Sequence, residues 1–296
     1  MPPVRPGGGG CTCSMWARVT GPRWPLRVAA TSYGCCRDRP DPPPSPHAPK
    51  ETVMTSPSPS HPVAPTLLCV PHAAGVARAF TGLGQALGPH ARTVALELPG
   101  HGTRMREPVR DDFAGVLEDL VRATGAHTAR PYVLLGHSMG AAFAYELARH
   151  WSALGRPPRA VLLVGRNGPT ARSLLPDLHG LPDDAFLDGV RRLGGTPPQL
   201  FDHPELVALF TPVLRADFTL SETYAPLPGP PLGCPLWVSA GTDDPMVDDA
   251  GLRDWENHAD GDVHVEWLPG GHFLLDDPAF QGYVAGVLRR LPQPVV

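Results

Sequence analysis

The sequence predicts an α/β fold, in which a mostly parallel β-sheet carries helices on both faces and a helical lid insertion. Short, nearly unbroken apolar runs alternate with segments of helical spacing, which is typical of a parallel sheet buried on both sides. The alternation breaks between about residues 170 and 230, where helices and loops follow one another. Helices inserted after a strand can cover a site, so we expect this segment to be a lid.

The elements follow in a regular order from Thr66. The first strand (66–71) is the apolar run TLLCVP, which a proline ends, and a helix of residues 75–88 follows it. The next strand (92–100) ends in a Pro-Gly turn. The helix of residues 111–125 begins with two acids and ends in glycine, as the helix dipole and helix C-termini favour.

The second half of the chain repeats this order. A strand at 131–136 leads into a helix at 139–155, which ends at Gly155. Apolar runs then predict a strand at 159–165 and, after the lid, strands at 235–241 and 263–270 and a closing helix at 278–291.

The composition is that of a globular chain without a strongly charged surface. The 296 residues are 42% apolar and 18% charged, and the formal net charge is −4. No apolar run reaches the roughly 18 residues that a membrane-spanning helix needs. We therefore expect a cytoplasmic protein that binds neither nucleic acid nor membrane.

Residues 1–60 differ from residues 61–296 in composition and charge. They are rich in proline, glycine and arginine, and residues 1–53 carry a net charge of +4 against −8 for the rest. Such a segment buries too little apolar surface to offset its chain entropy, so we expect a disordered extension ahead of one α/β domain. Met54 is an alternative translation start, and removing residues 1–53 should change neither stability nor activity.

The cysteines indicate neither disulfides nor a metal site. Cys69 and Cys234 lie in or beside apolar runs, as small buried hydrophobic residues do. The four cysteines of residues 1–60 have C-x-C and C-C spacings, which fit zinc fingers poorly. We expect no metal and no other cofactor.

Ser138 stands between a predicted strand and a predicted helix, in the sequence G-H-S-M-G (136–140). This fits G-x-S-x-G, the nucleophile elbow of α/β-hydrolases, in which a sharp turn exposes the serine oxygen. Small residues on either side avoid clashes, and the following helix directs its N–H groups and dipole toward the site. The pattern predicts a nucleophile; the alternative is that Ser138 only caps the helix.

A serine nucleophile needs a base and an orienting acid, which follow it in the order acid, then histidine, in this fold. The segment SAGTDDPMV (239–247) offers Asp243 and Asp244, and LPGGHFLL (268–275) offers His272. Both segments follow strands, at the sheet edge where sites of α/β folds form. We prefer Asp244, because the turn in this fold directs the fourth residue, counted from Gly241, inward. The alternative is that all three are ordinary turn residues.

The oxyanion of the transition state needs N–H donors. One is expected from Met139, after the nucleophile, and the second from Ala73 in the loop VPHAAG (70–75). We interpret His72 as a loop-shaping residue, His137 as a packing or hydrogen-bonding neighbour and His101 as a turn residue.

Six segments taken together resemble the type II thioesterases, the discrete editing enzymes of polyketide and nonribosomal peptide synthases: LLCVPHAAG, LELPGHGTR, VLLGHSMGAAFAYELAR, RRLGGTPP, LRADFTLSETY and LPGGHFLL. The similarity covers about residues 66–291. The resemblance implies an acyl carrier protein or peptidyl carrier protein bearing phosphopantetheine as partner, and the roles of these site residues: Ser138, Asp244 and His272 as the triad, and Ala73 and Met139 as oxyanion donors.

The resemblance also implies that the lid covers an acyl chamber. Some apolar lid residues at helical spacings should line this chamber: Leu200, Phe201, Leu206, Phe210, Leu214 and Phe218. The family more often has glycine at the position of Ala74, and the extra methyl group is expected to narrow the chamber slightly.

The function implied by the resemblance is removal of aberrant or stalled acyl groups from carrier-protein arms by thioester hydrolysis. A chain-releasing thioesterase and a general carboxylesterase or lipase share the fold and stay open as alternatives. The loop PHAAG differs from the HGGG loop of lipases, which counts against the last of these. A non-catalytic member of the fold would lack a triad position, and none is missing from the sequence.

Overall fold

The computed structural model of the protein describes residues 64–196 and 198–291. The predicted extension of residues 1–60, with its four cysteines and the alternative start at Met54, lies outside the described residues. The division into an extension and a domain of residues 61–296 therefore stays a prediction. Within the described part of the chain, no helix is both long and apolar enough to cross a membrane.

A six-stranded sheet forms the centre of the fold, and all neighbouring strands in it are parallel. Its order is β2-β1-β3-β4-β5-β6. The inner strands are buried along their whole length, which explains their unbroken apolar runs, whereas the edge strands β2 and β6 are partly exposed. The strands are β1 (Thr66–Val70), β2 (Arg92–Ala95), β3 (Tyr132–His137), β4 (Val161–Val164), β5 (Leu236–Gly241) and β6 (Val263–Leu268).

The helices that flank the sheet or form the lid are α1 (Thr81–Leu87), α2 (Phe113–Thr124), α3 (Met139–Ala153), α4 (Asp183–Leu193), α5 (Pro204–Glu222), α6 (Asp249–Arg253) and α7 (Pro278–Arg290). The predicted helix of residues 75–88 is shorter than expected. A 3₁₀ turn (Ala77–Phe80) takes its first part, and Gly82 and Gly84 weaken the remaining α-helical part. The sequence did not predict α6, because five residues are too few to show a helical period.

The two faces of the sheet have separate cores, built from alternate residues of the strands. Leu67 and Cys69 face one core together with Phe280 of α7, and Leu68 faces the other together with Phe143 of α3. Because side chains alternate between faces, this two-sided burial fixes the strand register. Cys69 and Cys234 are free and buried, as predicted.

The predicted helical insertion is confirmed. The helices α4 and α5 occupy the chain between β4 and β5, and they share a small apolar core of their own that includes Phe186, Val190 and Leu214. We call residues 170–230 the lid.

Candidate active site

The sharp turn predicted at Ser138 is present between β3 and α3. Ser138 has φ 53° and ψ −116°, a strained backbone conformation for a residue other than glycine. Its N–H donates to the carbonyl of Val164 at 2.7 Å, which holds the turn against β4. The side chain makes no capping hydrogen bond to α3, so the alternative of a simple helix cap is not supported.

The two glycines of G-H-S-M-G are required by close backbone contacts. A Cβ atom at Gly136 would overlap the backbone of Gly140, and a Cβ atom at Gly140 would overlap the backbone of Val70 at the end of β1. Because the obstacles are backbone atoms, no rotamer change relieves these overlaps. The spacing of the motif is therefore a packing requirement of this fold.

His272 pairs with Asp244, as expected. Its Nδ1 lies 2.7 Å from Oδ2 of Asp244, and both side chains are buried. Oδ1 of Asp244 accepts a second hydrogen bond from the N–H of Met246 at 2.9 Å, which fixes the carboxylate. A carboxylate can only accept, so Nδ1 of a neutral His272 carries the proton and Nε2 keeps its lone pair.

The structure distinguishes the two aspartates of the segment TDDP. Asp244 is buried against His272, whereas Asp243 is exposed and contributes only its N–H, to the carbonyl of Gly270 at 2.9 Å. Gly241 packs directly on the backbone of Gly270, which brings the two loops together. Our preference for Asp244 as the partner of the histidine agrees with this geometry.

Ser138 and His272 line one small cavity of about 50 Å³, together with Ala73. Ala73 lies in residues 71–75, which we call the oxyanion loop, and its N–H donates to no described residue. Met139 is the first residue of α3, so its N–H has no acceptor within the helix. Both N–H groups are available for a ligand, and the roles of all five residues stay predictions at this point.

The oxyanion loop is held in a strained conformation at Ala74, which has φ 59°. The N–H of Ala74 donates to Oδ2 of Asp217 on α5 at 2.6 Å. Ala74 is exposed, and its methyl group lines neither cavity at the site. The expectation that this methyl group narrows an acyl chamber is wrong, because Ala74 does not line either cavity.

A chain of hydrogen bonds joins the oxyanion loop to the backbone of His272. Nδ1 of His72 lies 3.2 Å from Nδ1 of His137, whose Nε2 lies 2.8 Å from the carbonyl of His272. The carbonyl only accepts, so His137 donates through Nε2 and accepts at Nδ1 from His72. Burial is the main cause that lowers the pKa of His72 to about 4 and the pKa of His137 well below its usual value. Both rings are therefore neutral and support neighbouring loops, as interpreted.

His101 is not an ordinary turn residue, which corrects the interpretation from sequence. Its side chain is buried, with Nε2 2.9 Å from Oδ2 of Asp217 and Nδ1 3.0 Å from the carbonyl of Pro99. The sequence analysis also missed Asp217. It lies three residues after Leu214 and three before Leu220, on the buried face of α5, and an acid on such a face was the available signal.

A larger cavity of about 440 Å³ opens from Ser138 under the lid. Its wall includes Arg166, which the sequence analysis missed and which donates to the hydroxyl of Ser221 at 3.0 Å. Of the six lid residues expected at the chamber, Leu214 and Phe218 line these cavities. The other four do not line either cavity: Leu200, Phe201, Leu206 and Phe210.

No group of three His, Cys, Asp or Glu side chains within residues 64–196 and 198–291 could hold a metal ion. The site therefore offers a buried carboxylate–histidine pair, a strained serine and free backbone N–H groups beside a covered cavity. This arrangement is suited to acyl transfer through a serine ester.

A family model described as the thioesterase domain matches residues 65–288, the greater part of the chain. The chain belongs to the thioesterase domain family. Among solved structures, the type II thioesterase BorB from the borrelidin biosynthetic cluster is 37% identical, with a TM-score of 0.70 over 78% of this chain and 96% of BorB. ClbQ from the colibactin NRPS/PKS pathway is 30% identical, with a TM-score of 0.72 over 77% of this chain and 98% of ClbQ.

Two curated relatives extend this picture. Thioesterase PikA5 of Streptomyces venezuelae is 35% identical over 215 residues, 71% of this chain and 75% of the relative. Linear gramicidin dehydrogenase LgrE of Brevibacillus parabrevis is 38% identical over 188 residues, 61% of this chain and 70% of the relative. The word dehydrogenase in that name describes LgrE. In this thioesterase, the turn after β1 reads PHAAG instead of a glycine-rich dinucleotide loop.

The α/β-hydrolase fold and the resemblance to type II thioesterases are thus confirmed. The protein is a hydrolase that acts on thioester bonds.

Proposed function

We propose that this thioesterase removes aberrant or stalled acyl groups from the phosphopantetheine arms of acyl carrier or peptidyl carrier proteins of a polyketide or nonribosomal peptide synthase. The observation that carries the proposal is the strained Ser138 beside the Asp244–His272 pair, lining the cavity under the lid, in a chain similar to BorB and ClbQ. The names of these two relatives refer to such biosynthetic clusters.

Acylation of Ser138 is the first half of the proposed reaction. Nε2 of His272 takes the hydroxyl proton while Oγ attacks the thioester carbonyl, and the developing oxyanion accepts from the N–H groups of Ala73 and Met139. The tetrahedral intermediate collapses, the C–S bond breaks, and His272 returns the proton to the leaving thiol of the carrier arm. Asp244 keeps the proton on Nδ1 and stabilises the imidazolium that forms meanwhile.

Hydrolysis of the acyl-enzyme is the second half. His272 takes a proton from water, and the water oxygen attacks the ester carbonyl. The oxyanion that forms accepts hydrogen bonds from the same two N–H groups. The bond to Oγ breaks, Ser138 regains its proton, and the carboxylic acid leaves. The net reaction consumes one water and gives a free acid and a free carrier thiol.

The lid determines which form of substrate can reach Ser138. A thioester on a flexible arm can reach a serine at the end of a covered channel, and the cover shelters the acyl group from bulk water. The cavity of about 440 Å³ has Phe218 in its wall and Ser138 at its end, which suits an acyl chain.

The test compares rates on acyl carrier-protein thioesters of several chain lengths with rates on p-nitrophenyl esters of the same acyl groups. An editing thioesterase should have the higher kcat/KM on the carrier-protein substrates and should release free acid. Higher kcat/KM on the simple esters would instead indicate a general esterase, and cyclised or transferred products would indicate a chain-releasing enzyme.

A further inference from the structure

A second buried pair of an acid and a histidine lies behind the oxyanion loop, outside the Ser138–His272–Asp244 group. Asp217 of the lid helix α5 and His101 of the loop after β2 are almost fully buried, at 1% and 5% exposure. Oδ2 of Asp217 receives two hydrogen bonds, from Nε2 of His101 at 2.9 Å and from the N–H of Ala74 at 2.6 Å. The proposed catalytic steps use neither side chain.

The partners of His101 define its charge. Nε2 faces a carboxylate oxygen, and Nδ1 faces the carbonyl of Pro99 at 3.0 Å. Both oxygens are acceptors, so both ring nitrogens must carry a proton for the two bonds to form, and the ring is an imidazolium. Oδ1 of Asp217 has no partner among the described residues, so a proton on Oδ1 would be left unpaired. The proton in the contact between Oδ2 and Nε2 belongs to the histidine, because an imidazole is more basic than a carboxylate.

We propose that Asp217 and His101 form a buried ion pair that positions the oxyanion loop, so that the N–H of Ala73 stays directed at the reacting carbonyl. This inference rests on the proposed function. Asp217 is a positioning residue, because it contacts the loop at Ala74 and does not line the cavity at Ser138. A non-glycine residue at φ 59° needs such an anchor, since the left-handed conformation brings Cβ too close to the following carbonyl oxygen.

A second carboxylate holds the 3₁₀ turn that directly follows the oxyanion loop. Oε1 of Glu97 accepts from the N–H of Ala77 at 3.1 Å, and Oε2 accepts from the N–H of Thr103 at 2.6 Å. The charges of Asp217 and Glu97 both face His101 and favour its protonated form. Asp217 therefore joins the lid helix and the loop after β2 to the oxyanion loop, and Glu97 holds the 3₁₀ turn that follows this loop.

The pair also explains how a buried carboxylate can lie next to an oxyanion site. An unpaired negative charge behind Ala74 would repel the negative charge that develops in the transition state, most strongly in a dry interior. The imidazolium of His101 cancels that charge, and Oδ2 still accepts the hydrogen bond from Ala74. Asp217 thus positions the oxyanion loop, and His101 neutralises the charge of Asp217.

The experiment separates geometry from charge with three single variants and one double variant, all measured on one short acyl carrier-protein substrate. Asp217→Ala removes the anchor and should lower kcat by about 10- to 100-fold with little change in KM, less than the loss typical for deleting an oxyanion donor. Asp217→Asn keeps an acceptor for Ala74 and should recover most of that loss. His101→Gln leaves the carboxylate unpaired and should lower kcat, and the double variant Asp217→Asn/His101→Gln should exceed His101→Gln in kcat.

Affinity for an acyl trifluoromethyl ketone is the readout that a merely structural role would not move. This probe adds to the serine as a tetrahedral oxyanion, so its Ki should rise in parallel with the fall in kcat/KM. The control is Glu146→Gln on α3. Glu146 is also a buried acid, and it accepts a hydrogen bond from the backbone N–H of Leu227 at 3.0 Å. It also pairs with the cation Arg149, away from the oxyanion loop. The variant Glu146→Gln should lower Tm without raising Ki.

Three outcomes would overturn the proposal: kcat and Ki of folded Asp217→Ala equal to those of the parent, a fall in kcat without a rise in Ki, or no gain from the double variant. Should Asp217→Ala not fold, His101→Gln and the double variant decide the question through the same two measurements. Failure of the proposed function is visible separately, because the parent enzyme would then hydrolyse no carrier-protein thioester or Ser138→Ala would hydrolyse it equally well.

Discussion

Acidification from about pH 7.5 to about pH 5 should destabilise the folded protein, and His72 carries a defined part of this effect. In the fold, burial and, to a smaller extent, the charge of His272 lower the pKa of His72 from 6.5 to about 4. Unfolding exposes the ring, which then binds a proton more readily than the folded state does. The stability is therefore fully present above pH 6.5 and is lost as the pH falls toward 4.

The size of the effect follows from the pKa difference. A depression from 6.5 to about 4 corresponds to roughly 3 kcal/mol in full, of which about 2 kcal/mol is lost by pH 5. These values are upper bounds, since His72 is partly exposed. His137 acts in the same direction. The partners of His101 outweigh burial and raise its pKa, so its contribution to stability is complete below pH 6.5 and falls as the pH rises above that value. His101 therefore opposes the effect of His72 between pH 7.5 and 6.5 and adds no slope below pH 6.5.

The assay is urea unfolding at a series of pH values, with His72→Asn as the test variant. The side-chain amide of asparagine can replace the Nδ1–H donor to His137 but does not titrate. The variant should therefore lose less stability than the parent between pH 7.5 and pH 5, by at most about 2 kcal/mol. His90→Asn, at an exposed position, is the matched control and should keep the slope of the parent. Equal slopes for the parent and His72→Asn would refute the reasoning.

Two further predictions concern the acid and the lid. Asp244→Asn should lower kcat by about 10⁴-fold, because the amide favours the wrong tautomer of the histidine. Asp243→Asn, at the exposed neighbouring position, should keep kcat near the parent value in the same thioesterase assay. A large fall in kcat for Asp243→Asn would reverse the assignment of the two aspartates. Phe218→Ala should change the ratio of kcat/KM between short and long acyl carrier-protein substrates, because this ring lines the chamber. Phe210→Ala, at the exposed surface, should leave this ratio unchanged. A fall in kcat/KM that is equal for all chain lengths in both variants would exclude Phe218 from chain-length selection.

The sheet and the elbow could be predicted from sequence because they depend on local patterns. Unbroken apolar runs such as Leu67–Val70 are buried strands, and Gly136 and Gly140 are required by the backbone contacts around Ser138. The pairing of His272 with Asp244 agrees with the expectation from sequence, because each residue follows a strand that ends at the same edge of the sheet. The prediction of a helix over residues 75–88 was less accurate, because its glycines weaken the helix without changing the apolar spacing.

Features that depend on contacts between distant segments could not be predicted. Asp217 and Ala74 are 143 positions apart, and no local pattern shows that a lid helix meets the oxyanion loop. His101 was interpreted as a turn residue for the same reason, since its sequence neighbours do not reveal the burial of its ring. Phe210 and Phe218 share helical spacing, and only the packing of α5 shows which of them lines the chamber.

In the proposed reaction, Ser138 becomes acylated by a carrier-bound acyl group and is then freed by water. The most direct measurement is mass spectrometry of the intact protein, quenched shortly after mixing with an acyl carrier-protein thioester, together with steady-state release of free acid. The parent should gain the mass of one acyl group, and Ser138→Ala should gain none and lose activity by several orders of magnitude while keeping its Tm. Acylation or turnover of Ser138→Ala at the parent's rate would contradict the account.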